Sequence, residues 1–139
     1  MKRIYMDHAA TTPMDPGVAA AMKPFLGGKF GNASSLHSFG QEAKEALEES
    51  RAAIAKDAGA QPDEVIFTSG GTESDNMALK GVLARGDHLI TSNIEHHAVL
   101  HTAQFLESQG VQVTCMKADR FGLVRTSDVE AAIKPNTKL

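Results

Sequence analysis

Apolar positions along the chain switch repeatedly between short runs and helical spacing. Val65, Ile66 and Phe67 are consecutive β-branched or aromatic residues, a pattern suited to a parallel strand buried on both faces. Ser69, Gly70 and Gly71 break the run, and Met77, Leu79, Val82 and Leu83 then follow an approximately helical period. The stretch from Glu64 to Asn76 therefore predicts a strand that turns sharply into a helix. Two further strands are predicted at His88–Ser92 and Val111–Met116. Between them, Ala98, Val99, Ala103, Phe105 and Leu106 predict a helix from about Glu95 to Ser108, terminated by Gly110. Strand, helix and strand in this order imply a right-handed parallel crossover, hence an α/β fold.

The flanking segments read less regularly. Arg3–Met6 predicts a short strand, and Asp7–Pro16 a polar, turn-rich segment with two prolines. Val18, Met22 and Phe25 share one side of a helix predicted from Gly17 to Phe25, which Gly27 and Gly28 end. Lys29–Ser38 reads as an irregular loop pinned by Phe30 and Leu36. A long helix from about Phe39 to Ala58 would pack Ala43, Ala46, Leu47, Ala53 and Ile54 and turn Glu45 and Glu49 to water. Asp119–Gly122 forms a turn, Ser127–Glu130 has capping-box spacing for a short helix ending before Pro135, and another strand begins at Lys138-Leu139.

Composition narrows the function. A chain of 139 residues, 42% hydrophobic, is long enough for a packed core. The net charge of -3, without a block of like charge, argues against a nucleic-acid surface, and no apolar run reaches membrane-spanning length. No secretory leader is evident, so the expected setting is cytoplasmic and the expected partner a small organic substrate. The single cysteine, Cys115, cannot form a disulfide framework. It lies within the alternation Val111, Val113, Cys115, which predicts a core residue and not a nucleophile.

Candidate chemistry concentrates at the glycine turn. Thr72 or Ser69 can cap the helix, and Glu73 and Asp75 lie where its dipole favours carboxylates. Free N–H groups at such a start, with the Thr72 and Ser74 hydroxyls, can hold a phosphate. Neither the Gly-x-Gly-x-x-Gly loop nor a P-loop lysine is present, and a turn of this kind can equally cap a helix and bind nothing. Among the histidines, His8 and His37 read as hydrogen-bonded loop residues. His96, at a strand-to-helix junction, reads either as a helix cap or as a residue of the ligand crevice. His97 and His101 share a helix face but lack a third ligand, so they are assigned to solvent and no metal site is expected.

Four motifs in series, Met6-Asp7-His8-Ala9-Ala10-Thr11-Thr12-Pro13, Phe30-Gly31-Asn32-Ala33-Ser34-Ser35-Leu36-His37, Phe67-Thr68-Ser69-Gly70-Gly71-Thr72-Glu73-Ser74 and Glu95-His96-His97-Ala98-Val99-Leu100, closely resemble the start of the pyridoxal-phosphate-dependent cysteine desulfurases. That family lies in the class V aminotransferase-like group of fold type I, and the resemblance runs from Ile4 to Leu139. It implies a three-layer α/β fold corresponding to part of the large domain, with residues 1–16 as an N-terminal arm and 17–139 as the first half of that domain. It implies that the strand at Val65–Phe67 pairs only with segments later than residue 139, while the strands at His88 and Val111 still pair with each other. Gly71 and Thr72 match positions that contact the pyridoxal 5'-phosphate phosphate, and His96 matches the histidine that stacks on the ring and helps move protons.

The implied activity is transfer of sulfur from L-cysteine to an enzyme persulfide, giving alanine. Family members are roughly two to three times this length. The cofactor lysine and nucleophilic cysteine are therefore expected beyond residue 139, and the fragment alone is expected to be inactive. The resemblance further implies a homodimer at full length and delivery of sulfur to an iron–sulfur scaffold or other acceptor. A selenocysteine lyase or aminotransferase of the same group, and a non-catalytic interaction module, remain open as alternatives.

Overall fold

The computed structural model describes residues 3–139. They form two compact units, divided between Ile66 and Phe67.

In the first unit, helix α1 spans Pro16–Met22 and continues as a 3-10 turn over Lys23–Leu26. The Asp15 carboxylate caps it, accepting from the Gly17 and Val18 amides at 2.7 and 3.3 Å. Helix α2 spans Ser38–Ala58 and ends at Gly59, whose φ of +67° is the left-handed conformation that glycine adopts without strain. The expected strand at Arg3–Met6 does not form. The segment joins no ladder, and Ile4 and Met6 are exposed.

The loop before α2 is pinned, and of the two apolar side chains expected to do so only Phe30 takes part, its ring centroid 5.3 Å from that of Phe39. Leu36 is 93% exposed. Backbone meets backbone instead: a Cβ on Gly31 would lie 2.2 Å from the Phe39 carbonyl oxygen, and one on Gly40 would lie 2.4 Å from that of Ser35. The predicted apolar stripe of α2 is likewise only partly used. Ala55 and Gly40 are buried, Ala43 and Ala46 half-buried, and Leu47 and Ile54 exposed.

The expected strand at Val65–Phe67 is also absent. Val65 is extended (φ −96°, ψ 122°) and its carbonyl accepts from Arg51 Nη1, but the run pairs with no strand, and Ile66 is 64% exposed. A ladder needs a second strand, and no strand among the described residues pairs with this run. The missing pairing is the one the resemblance assigns to later sequence.

The second unit contains α3 (Gly71–Val82), β1 (His88–Ser92), α4 (His97–Ser108), β2 (Gln112–Met116) and α5 (Thr126–Ala132). As predicted, β1 and β2 pair in parallel, from His88↔Gln112 to Ser92↔Met116. Side-chain alternation divides this sheet into two faces. Leu89 and Val113 join Leu79, Leu83, Val99, Ala103, Leu106 and Val111 in the core beneath α3 and α4. Ile90, Ser92 and Met116 line a cavity with Val129 of α5 and Ile133, the residue that follows it. Helices thus cover both faces, giving the expected three layers.

The start of one helix differs from the sequence expectation. Arg125, not Ser127, is the N-cap of α5, and no side chain caps it. The C-terminal residues extend the sheet. Thr137 bridges His88 in parallel, Lys138 N–H donates to the His88 carbonyl at 2.9 Å, and Ile90 N–H donates to that of Leu139 at 3.0 Å. The strand predicted to begin there is present only as this isolated bridge and its hydrogen bonds to β1. No described helix is long and apolar enough to cross a membrane.

Candidate functional site

The start of α3 departs from both expected caps. Gly70 is the N-cap and no side chain caps the helix. Ser69 is instead a donor: its backbone N–H and its Oγ both donate to Glu73 Oε2 at 2.7 Å. These bonds, the backbone one foremost, hold the Glu73 carboxyl below its ordinary pKa, so it stays ionised at the positive end of the helix. Thr68 Oγ1 and Ser74 Oγ bond each other at 2.7 Å, closing the turn and using one of the two hydroxyls proposed for phosphate. The Thr72 hydroxyl makes no such bond to the described residues. The first-turn amides of Gly71 and Thr72 lack the side-chain acceptor that a capping residue would supply.

Space is available as well as donors. A Cβ added at Gly70 or Gly71 would meet nothing within 4 Å. An uncapped start of a 12-residue helix, with backbone donors, a spare hydroxyl and open space, suits a phosphate monoester. The residues present therefore fit the phosphate group of pyridoxal phosphate.

His96 is the N-cap of α4, as the more conservative sequence reading proposed. The Ala98 N–H donates to His96 Nδ1 at 3.1 Å. Accepting at Nδ1 requires that this nitrogen carry no proton, so the capped neutral ring carries its hydrogen on Nε2. The cap therefore fixes both ring placement and tautomer while leaving Nε2 for a ligand. Thr72 and His96 line one cavity of about 510 Å³ between α3 and α4, which also takes in Asn76, Lys80, His97 and His101. Gly71 precedes Thr72 at the first position of α3.

The other candidate histidines make contacts of their own. His97 and His101 are exposed, as expected, with their rings stacked at 5.0 Å. Among the described residues no group of three or more His, Cys, Asp or Glu could hold a metal ion. His37 caps α2, accepting from the Gly40 amide at 3.3 Å. The Tyr5 and His8 rings meet edge-on at 5.1 Å.

Cys115 corrects the sequence reading, because it is exposed and not in the core. Among the described residues β2 has β1 as its single neighbour in the sheet, and Cys115 lines an open pocket with Val113 and with Leu100, Ala103 and Gln104 of α4.

Sequence reasoning overlooked two polar contacts. Thr102, on α4, is 5% exposed, and its Oγ1 donates to Asn76 Oδ1 at 2.9 Å. The spacing Ala98, Thr102, Leu106 carried the signal, since it puts a hydroxyl on the buried stripe. His88 is 0% exposed, with Nδ1 2.7 Å from Thr137 Oγ1 and Nε2 2.7 Å from Thr114 Oγ1. Its burial, with Lys134 second, lowers its pKa.

Comparison with known proteins matches the family model described as Aminotransferase class-V over residues 4–139. Cysteine desulfurase IscS of Dictyoglomus turgidum is 54% identical over 144 residues, covering 100% of this chain and 36% of that protein. Putative cysteine desulfurase IscS 1 of Bacillus subtilis is 51% identical, covering 100% of this chain and 38% of its own. Among solved structures, one described as SspA in complex with cysteine superposes with a TM-score of 0.84 at 43% identity, over 96% of this chain and 40% of that one. A NifS-like protein gives 0.89 at 37% identity, over 98% and 38%. The chain thus spans well under half the length of the relatives it matches. It belongs to the class V aminotransferase family, whose members depend on pyridoxal phosphate.

Proposed function

We propose that this chain is the phosphate-holding and ring-covering portion of a cysteine desulfurase. One observation carries the proposal: the uncapped start of α3 and the tautomer-fixed His96 meet at one cavity through Thr72. Gly71 and Thr72 donate backbone N–H groups to the phosphate dianion, and the Thr72 hydroxyl adds a further donor. The Glu73 carboxylate is turned back onto Ser69, so its oxygen is occupied. His96 covers the ring and presents the Nε2 proton, its plane held by the Ala98 amide. Pyridoxal phosphate, when bound, supplies the electron sink for cleavage at the substrate carbon.

On this reading L-cysteine gives up its sulfur to an enzyme thiol, leaving alanine and a persulfide. The lysine that anchors the cofactor and the thiol lie outside these 139 residues. Cys115, exposed on β2, has no part in the reaction. The full-length protein acts in the cytoplasm as a homodimer and passes sulfur to an iron–sulfur scaffold or another acceptor. The similarity to proteins named cysteine desulfurase supports this choice among class V activities.

The test is to express the chain through its natural reading frame and to follow alanine and persulfide formation from L-cysteine. Thr72→Ala should weaken cofactor binding roughly tenfold, the worth of one hydrogen bond to a charged group. The reading is contradicted if the extended protein binds no pyridoxal phosphate or yields no alanine.

A further inference from the structure

The two halves of the proposed cofactor site stand on different helices, and one side chain joins them. Asn76 lies one helical turn after Thr72, and its Nδ2 donates to the Thr72 carbonyl at 2.9 Å. Its Oδ1 accepts from Thr102 Oγ1, also at 2.9 Å. Thr102 lies on the buried stripe of α4, the helix that His96 caps. A continuous chain therefore runs from the Thr72 carbonyl through the Asn76 amide to Thr102 and along α4 to His96. No other hydrogen bond described between α3 and α4 side chains performs this role.

The chemistry of the pair is specific. Both ends of the Asn76 carboxamide are used, the nitrogen as donor and the oxygen as acceptor, so an aspartate cannot replace it without losing the bond to the Thr72 carbonyl. Thr102 is buried among Ala98, Ala103 and Leu106, where an unpaired hydroxyl would be costly. Apolar packing between helices permits sliding among similar arrangements, whereas a partly buried hydrogen bond such as that between Thr102 and Asn76 favours one register. The Thr72 carbonyl bond acts on the same turn whose amides face the phosphate.

We propose that Asn76 and Thr102 are positioning residues that set the phosphate turn of α3 against His96, so that the phosphate and ring of one cofactor are held together. This inference rests on the cofactor reading above. It assigns neither residue a contact with the cofactor.

The test compares Asn76→Ala, Asn76→Asp, Thr102→Val and Thr102→Ser in the chain extended through its reading frame. Two readouts are used: the dissociation constant for pyridoxal phosphate, and amide hydrogen exchange in α3 and the first turn of α4 without cofactor. Thr102→Val keeps the shape and removes the hydroxyl. It should raise the dissociation constant roughly three- to tenfold and speed exchange in both helices by a similar factor, as expected for one buried hydrogen bond. Thr102→Ser should restore both. Asn76→Ala combined with Thr102→Val should be no worse than Asn76→Ala alone, because they break one bond.

The proposal is overturned if Thr102→Val matches the wild type in both readouts, or if the two changes add. Thr72→Ala and His96→Ala separate the two levels. If they weaken cofactor binding while the Asn76 and Thr102 variants do not, the positioning role fails and the site stands. If they too leave binding unchanged, the site itself fails and the positioning role with it.

Discussion

Protonation of His88 should loosen the sheet, and the size of the effect follows from its surroundings. The ring has no accessible surface and lies between two threonine hydroxyls, each 2.7 Å from a ring nitrogen. Thr137 Oγ1 already accepts from the Lys134 amide at 2.7 Å, so its own hydrogen is free to be given to His88 Nδ1. Nε2–H then donates to Thr114. This arrangement uses a neutral imidazole. A second ring proton would require the Thr137 hydroxyl to turn its hydrogen away and accept from Nδ1–H as well as from the Lys134 amide, in a site whose burial and nearby Lys134 both disfavour positive charge.

The pKa of His88 is lowered on folding from its ordinary 6.5, so the unfolded chain binds the proton first as pH falls. Stability from this group is complete above about pH 6.5 and declines below it until the folded pKa is reached. At pH 5.5 the loss is at most about 1.4 kcal/mol, or tenfold in the opening equilibrium. That value is a ceiling, because it is reached only if the folded ring takes up no proton at that pH.

Hydrogen exchange at the Gln112 and Thr114 amides, corrected for intrinsic rates, reads this opening directly. Exchange should rise up to tenfold between pH 7.5 and 5.5 in the wild type, and His88→Leu should abolish that pH dependence. Equal pH dependence in His88→Leu would refute the reasoning.

Other expectations concern packing and the glycine turn. Leu106→Ala should cost about 2–5 kcal/mol in local opening of α4 and β2, because Leu106 is buried against Leu79, Leu89 and Val111; exchange at core amides checks it. Gly40→Ala should cost about 1–3 kcal/mol and release the Asn32–Ser35 turn, since the new Cβ would lie 2.4 Å from the Ser35 carbonyl oxygen and 2.8 Å from that of Asn32. Loss of amide protection at Ser35 would show it. The Ser69 amide resonance should titrate with a midpoint below 4.5, because the bonds from Ser69 lower the Glu73 pKa. The turn is thus held above that midpoint and released as pH falls through it, and Glu73→Gln should remove the titration.

The second unit was the more legible part of the sequence. Period-2 and period-3.6 patterns at His88–Ser92, Val111–Met116 and Glu95–Ser108 correspond to β1, β2 and α4, because each element buries its apolar side within the chain itself. Val65–Phe67 carries an equally clear strand pattern without forming one. A strand is completed by its neighbours, and local sequence cannot supply them.

At the site, the glycine turn and His96 were legible as types of residue at a strand-to-helix junction. Their hydrogen-bond roles were not. Ser69 has the chemistry of a cap yet donates to Glu73, a choice made by turn geometry. His96 proves to be a cap and a site candidate at once, two readings the sequence set against each other. Cys115 fits a core alternation, but burial also needs cover on every side, and among the described residues β2 has only β1 beside it in the sheet.

The central claim is that the start of α3 holds the cofactor phosphate beneath His96. Titrating pyridoxal phosphate into the 15N-labelled chain, extended through its reading frame, tests it directly. Saturable shifts should centre on the Gly71 and Thr72 amides and the His96 ring, and Thr72→Ala should weaken them. Saturable cofactor binding that leaves those three resonances unmoved would contradict the account.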